Sequence, residues 1–368
     1  MKALIPRIEI SLPQIQHNAR ILSEYYGQQG ISLMGVSKAI LGDPHIAEAM
    51  IQGGVKFIAD SRLENIQKMR RARVVTQFVL LRTALSQAES VVRDVDISLN
   101  TELETIQELS YYATLYNKIH QIIIMVELGD LREGVMPIDL PLLMRQVAKL
   151  SNINVIGIGC NLACYGGIKP THQKMHQLSE LTTAIEQDLQ INLKIISGGN
   201  SANYEWYNST QNVERINNLR LGESILLGSE PIHQKTIPGL YPSAFKLIAE
   251  VIESKEKPSL PFGESCRNAF GDIPIFLDQG IHQRVIVALG RQDVLMSGLR
   301  PNKNLEILGS SSDHIVLNSH NNRLKIGSEV TFNLSYGGLL SAMTSPFVKK
   351  QFVRSPQFGF APLALNHN

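Results

Sequence analysis

The chain is poor in cysteine, has a single tryptophan and carries no excess of charge of either sign, with 35 Lys and Arg against 33 Asp and Glu in 368 residues. Three cysteines, Cys160, Cys164 and Cys266, are too few for a disulfide scaffold and point to a reducing compartment. The Cys160-x-x-x-Cys164 spacing does not make a metal pair, and His282, His314 and His320 are scattered, so no metal site is expected. A net charge of +2 offers no field to nucleic acid or to an anionic membrane. No apolar run approaches the ~18 residues of a membrane span, and the opening MKALIPRIEISL lacks the apolar core of a signal peptide. A soluble, cytoplasmic protein is therefore expected, with no internal repeat or low-complexity tract.

What is present is an alternation. Short apolar runs recur at residues 31–38, 57–61, 76–82, 96–100, 122–128, 155–161, 193–199 and 218–227. Several are continuously apolar, as in parallel strands covered on both faces. Between them lie helix signals. Asp43-Pro44 reads as an N-cap with proline at the first helical position, and Gly53 as the stop. Thr101 with Glu104 reads as a capping box, Ser61 as a cap, and Thr171 precedes an apolar face of Met175, Leu178, Leu181, Ile185 and Leu189. About eight strand–helix units imply an α/β fold, a (β/α)8 TIM barrel over residues 8–237, with an open doubly wound sheet as the competitor. Near Pro238-Gly-Leu-Tyr-Pro242 the helical periodicity fades, and strand-like runs at 244–253, 284–290, 305–309, 314–318 and 329–337 predict a C-terminal all-β domain over 238–354. Residues 1–12 are a candidate extra strand of that domain, and 355–368 are expected to form a loosely ordered tail.

Polar residues gather where the predicted strands end, which is where a barrel carries its chemistry. Lys38 ends strand one, Arg132 follows strand five, Asn161 ends strand six, Ser197-Gly-Gly-Asn-Ser201 follows strand seven, and Arg220 lies within strand eight. A lysine leaving a buried strand either snorkels to water or is an amine held in a cleft, where partial burial makes it a nucleophile. In the loop, Gly198 and Gly199 permit close approach of backbone N–H groups to an anion, and Asn200 and Ser201 add side-chain donors; otherwise it is a tight turn. A guanidinium in an apolar strand needs partners: either a carboxylate such as Glu223 or Asp60, or a ligand. A lysine, an anion loop and an arginine together suggest pyridoxal phosphate (PLP).

At this point the sequence resembles a known family. GVSKA, ELGDLREG, SGGNS and RLGESILLG, with FIADSR, CNLACYGGIKPT, VALGRQDV and LSAMTSPFVKK, resemble in order and spacing the fold-type III PLP enzymes of the alanine/ornithine racemase group, over nearly the whole chain. The resemblance implies an alanine racemase-like barrel with a β domain, and an isomerase interconverting L and D forms of a free amino acid by proton transfer between two bases at Cα. It implies that Lys38 carries the cofactor and is one base, and that Arg220 bonds the pyridine nitrogen. Asn161 would lie against the ring. Gly199, Asn200, Ser201, Gly222 and the adjoining Glu223 would hold the phosphate. Arg132 would address the substrate carboxylate, with Ser312 and Asp313 supplying substrate contacts from a partner in a head-to-tail homodimer.

The sequence departs from alanine racemases in three places. Ala39-Ile40-Leu41-Gly42 has no phosphate-binding tyrosine, Met125 stands where a lysine is usual, and VALGRQDV lacks the tyrosine that acts as second base. Tyr336, taken here as a β-strand residue, Asp293 and Cys266 are the candidates for that base. A basic substrate such as ornithine is expected, its distal ammonium received by Asp130, Glu133, Glu223 or Asp313. The alternatives are a PLP-binding homeostasis protein with little catalysis, which normally lacks a β domain, a fold-type III D-amino-acid lyase or aldolase, and a lysine Schiff-base aldolase without PLP.

Overall fold

A computed structural model describes residues 5–353 except residue 321. The described residues divide into two compact units, one spanning Leu12–Pro242, the other made of residues 5–11 and 243–353. The predicted tail, 355–368, lies outside the described residues.

The first strand, β1 (Arg7–Ser11), belongs to the second unit. The next eight are β2 (Ser32–Val36), β3 (Phe57–Asp60), β4 (Gln77–Leu80), β5 (Ile97–Asn100), β6 (His120–Met125), β7 (Ile153–Gly159), β8 (Ile195–Ser197) and β9 (Asn218–Leu221). All neighbours pair in parallel, and β9 returns to pair with β2, so the sheet closes. Closure excludes the open doubly wound sheet. The strands are short and buried on both faces, because helices cover the outside while Met34, Val36, Ala59, Val79, Leu99, Ile123 and Met125 fill the inside.

Local signals set most helix ends. Asp43 accepts from the N–H groups of His45 and Ile46 and starts the helix Pro44–Gln52, and Gly53 closes it. Thr171 caps the helix His172–Leu189 through the N–H of Lys174. Two expected caps are displaced by one residue. Glu102, not Thr101, occupies the cap of the helix Leu103–Leu115, and the Thr101 hydroxyl donates to Glu102. Arg62, not Ser61, precedes the helix Leu63–Arg71, its N–H taken by the Asp60 carboxylate at 2.8 Å. The eighth apolar run also divides: β9 stops at Leu221, Gly222 turns the backbone, and Glu223–Leu227 is a short helix.

The second unit is built on β10 (Phe245–Pro258), β11 (Ile281–Ala288), β12 (Leu299–Pro301), β13 (Glu306–Ser310), β14 (His314–Asn318), β15 (Glu329–Leu334) and β16 (Lys349–Val353). They form an antiparallel sheet in the order β12-β15-β10-β11-β14-β13, with β1 antiparallel to β10 and parallel to β16. This unit is the expected β domain, with a helix added near its end. The stretch expected to continue as a strand to residue 337 ends at Leu334, and Tyr336–Thr344 is a helix capped by Ser335. Buried Leu339, Ala342 and Met343 follow a helical rather than an alternating period, so Tyr336 opens a helix instead of lying in a strand.

Candidate active site

Lys38 stands two residues beyond the last residue of β2, at the start of a single 3-10 turn, Lys38–Ile40, closed by Leu41 in the left-handed region at φ 54°. The turn is anchored by buried Ser37, whose N–H donates to Ala59 O at 2.9 Å and whose hydroxyl donates to Asp60 Oδ2 at 2.6 Å. Asp60 is fully buried and also accepts from Asn65. Burial pushes its carboxyl up, and the bonds from Ser37, Arg62 and Asn65 oppose that shift. The Lys38 amine is pushed below its ordinary value, first by burial; the Arg132 and Arg220 cations push the same way, while Cys164 and Asp60 oppose them.

Arg220 is buried at 5 % exposure and spans three strand ends. Its guanidinium donates to Ser197 Oγ at the end of β8 at 2.6 Å, to Cys160 O after β7 at 2.8 Å, and to Asn161 Oδ1 at 3.3 Å. Ser197 in turn donates to Asn218 Oδ1 at 2.7 Å. The carboxylate partner considered from sequence is not there: neither Glu223 nor Asp60 bonds Arg220, so the charge is met by neutral acceptors. Burial lowers its affinity for its proton, yet a guanidinium keeps that proton at any ordinary pH.

Arg132 pairs with Glu133 through two hydrogen bonds and also donates to Cys164 Sγ at 2.6 Å. The segment carrying Cys164 is held by Asp130. That carboxylate accepts from the N–H groups of Tyr165 at 2.8 Å, Ile168 at 3.2 Å and Cys164 at 3.3 Å. Burial alone would raise the Asp130 carboxyl, but these backbone donors outweigh it and hold it low. Asp130 is thus a clamp between two loops, not a free receiver of a substrate ammonium.

The glycine loop is shaped by a residue that sequence reasoning missed. Asn203, fully buried, accepts from Asn200 N at 3.0 Å and donates to Gly198 O at 3.0 Å. Gly199 takes φ +138°, and a Cβ there would fall on Asn203 Oδ1, so glycine is required. Asn200 is not the free donor expected: its amide donates to Leu162 O at 2.8 Å and Asn161 Oδ1 at 3.1 Å, and its oxygen accepts from Ala202 N. Ser201 Oγ accepts from Ser224 N at 3.2 Å and lies 3.0 Å from Ser224 Oγ. Among the described residues nothing takes the backbone N–H of Gly199, Ser201 or Gly222. A Cβ on Gly222 would come within 3.3 Å of Val36 Cβ. The Nδ2 of Asn161 is buried without a partner. A signal for Asn203 was present, an asparagine three residues after a Gly-Gly-Asn turn, but only the fold shows it turning inward.

Glu223 heads the helix after Gly222, and burial, with Glu230 nearby, raises its carboxyl to about 7. Ser312 and Asp313 lie in the β13–β14 turn of the second unit, where Asp313 accepts from Gln292 and from Ser312 Oγ. Asp293 is buried there and accepts from Gly290 N and Ser345 Oγ; Tyr336 and Cys266 belong to the same unit. The barrel mouth itself therefore brings together Lys38, Arg132, Asn161, the glycine loop and Arg220. Among the described residues no group of three or more His, Cys, Asp or Glu is placed to hold a metal ion.

Residues 10–231 match the family model described as alanine racemase, N-terminal domain. Ornithine racemase of Acetoanaerobium sticklandii is 38% identical over 95% of this chain and 100% of its own length. The chain belongs to the alanine racemase family. It is an amino-acid racemase, an isomerase by class. Lysine racemase of Thermotoga maritima is 37% identical over 94% of this chain and 98% of its own. The alanine racemase of Clostridium difficile shares the fold at a TM-score of 0.74 and 16% identity, covering 96% of this chain and 97% of that one. The racemase fold extends to a D-threonine aldolase from Filomicrobium marinum, with a TM-score of 0.71 and 12% identity over 92% and 88% of the two chains.

Proposed function

We propose that this racemase inverts a free basic amino acid, ornithine or lysine, on pyridoxal phosphate carried by Lys38. The observation that carries the substrate class is that two relatives matching end to end are an ornithine and a lysine racemase. The cofactor fits the residues present. Gly199, Ser201 and Gly222 offer three unclaimed N–H groups from two adjoining loops, as a phosphate requires. Asn161 has an unused buried donor, and Arg220 has neutral partners only. Lys38, Arg132 and Arg220 form a cationic set that favours an anionic group.

The bound cofactor supplies an electron sink for the pair left when the Cα–H bond breaks. Lys38, its proton affinity lowered by burial, is suited to take and return a proton. With the cofactor bound, Arg220 would donate to the ring nitrogen without surrendering its own proton, which would leave that nitrogen unprotonated and favour proton return to Cα over transamination. The N–H groups of Gly199, Ser201 and Gly222, with the Ser201 hydroxyl, would hold the phosphate, and the backbone at Asn200 and Glu223 would complete the turn. Arg132, steadied by Glu133, binds the substrate carboxylate. Ser312 and Asp313 contact substrate from a second copy in a head-to-tail homodimer, and the enzyme works in the cytoplasm. No helix among the described residues is long and apolar enough to cross a membrane.

Purified protein tests this directly. It should be yellow, lose the colour in Lys38→Ala, and convert L-ornithine or L-lysine to mixed enantiomers on chiral chromatography much faster than L-alanine. Equal turnover of alanine and ornithine refutes the substrate class, and a colourless protein that stays so with added cofactor refutes the cofactor.

A further inference from the structure

One reactive group at the barrel mouth has no part in this reading: the Cys164 thiol. Of the three cysteines, Cys160 is buried, donates to Gly198 O at 3.3 Å, and is pushed up to about 12 by burial, so it is inert. Cys266 belongs to the second unit. Cys164 is exposed, and its sulfur accepts from Arg132 Nη1 at 2.6 Å. Its own N–H is fixed by the Asp130 carboxylate, so the position is built rather than accidental. A sulfur anion there would raise the proton affinity of both Lys38 and Arg220, which places the sulfur near both groups.

The order of strands around the ring adds direction. Lys38 follows β2 and Cys164 follows β7, three steps apart through β9 and β8, with Arg220 rising from β9 between them. A group resting beside Arg220 would be approached by the amine and the thiol from different strand ends. Two further observations point to a ligand in this gap: the unpartnered Nδ2 of Asn161, three residues before Cys164, and the unclaimed N–H groups of the glycine loop.

We propose that Cys164 exchanges a proton with Cα on the face opposite Lys38, completing the pair of bases from within the barrel. The inference rests on the racemase reading above. In one direction the Lys38 amine takes the Cα proton, the electron pair stays on the substrate, and the Cys164 S–H bond breaks to return a proton to the other face. In the reverse direction the sulfur anion takes the proton and Lys38 returns one. Each turnover leaves the two groups with exchanged protons, and solvent resets them. Arg132 has two tasks: it binds the substrate carboxylate and steadies the sulfur anion.

The test uses holoenzyme in heavy water with each pure enantiomer of ornithine and lysine. In Cys164→Ala and Cys164→Ser, inversion should fall by roughly 100- to 10,000-fold, while solvent deuterium still enters Cα of one enantiomer without inverting it. Inversion within about threefold of wild type, or equal loss of exchange from both enantiomers, overturns the proposal. Should the variants fail to fold, methyl methanethiosulfonate on Cys266→Ser protein caps Cys164 with a small group. One-sided exchange without inversion, reversed by dithiothreitol, is expected; unchanged inversion overturns the proposal. In cofactor-free protein the capping rate at Cys164, read by mass spectrometry, should fall in Arg132→Gln, because a guanidinium favours the reacting anion; an unchanged rate removes the pairing on which the idea stands. If the unmodified enzyme inverts none of these amino acids, it is the substrate reading that fails instead.

Discussion

Replacing Arg220 by methionine should separate what this residue does for the reaction from what it does for the fold. The guanidinium is 5 % exposed and has three neutral acceptors. Hydrogen bonds from a charged donor contribute about 1.5–3 kcal/mol each, and burying a charge without a counter-ion costs several kcal/mol. The two nearly cancel. In Arg220→Met the apolar stem is kept and the guanidinium head is lost, while Ser197 keeps Asn218 and Asn161 Oδ1 keeps Asn200. Cys160 O loses the 2.8 Å bond from Arg220, a loss of about 1–3 kcal/mol, against which stands relief of the buried charge. Stability of the cofactor-free protein, from urea unfolding, should change by no more than about 2 kcal/mol. Activity of the loaded enzyme should fall at least roughly 100-fold, as when a preorganised donor is removed from a reacting centre. A loss of more than about 4 kcal/mol in the cofactor-free protein, the size expected for breaking a paired buried charge, would show that the guanidinium is part of the fold, and unchanged activity would refute its place at the cofactor.

Gly199→Ala should cost about 1–3 kcal/mol in thermal or urea unfolding, because φ is +138° and the new methyl meets Asn203, and it should weaken cofactor retention; a variant as stable as wild type would mean the turn adapts. His120, buried beside Ser98 at 2.8 Å, is lowered to about 4, first by burial and then by Lys118. The unfolded chain protonates it near pH 6.5, so stability is full above that value and falls by up to roughly 3 kcal/mol as pH drops to about 4; His120→Gln should flatten this acid-side slope, and an unchanged slope would refute the assignment. Glu223 has the opposite sign. Its folded value is raised from 4.5 to about 7, so the folded protein holds the extra proton and stability falls as pH rises across that window. Glu223→Gln should therefore be more stable than wild type at about pH 8 and equal to it at about pH 4, and no gain at the higher pH would count against a buried, unpaired carboxyl.

Much of this was legible before any coordinates. Strand positions could be read because β2 to β9 are buried on both faces, which leaves a continuous apolar run in the sequence. Helix starts at Pro44 and His172 could be read because Asp43 and Thr171 act on neighbours two or three residues away. Lys38, Arg220 and the glycine loop stood out because a charge or a flexible turn inside such runs is chemically conspicuous. Tyr336 was misread because it directly follows the strand pattern that begins at Glu329, and only the Ser335 cap and the buried face of Tyr336–Thr344 show that a helix starts there.

By itself the sequence determined the alternation of strands and helices and the chemical kinds of residue at the strand ends, since periodicity and capping act within a few positions. Only the tertiary structure decided that the ring closes, that Arg220 meets a serine and a carbonyl rather than a carboxylate, that Asp130 clamps a loop, and that Cys164 lies against Arg132, 32 residues earlier in the chain. Those contacts depend on which strand ends are brought side by side by closing the sheet, and no local pattern encodes that geometry.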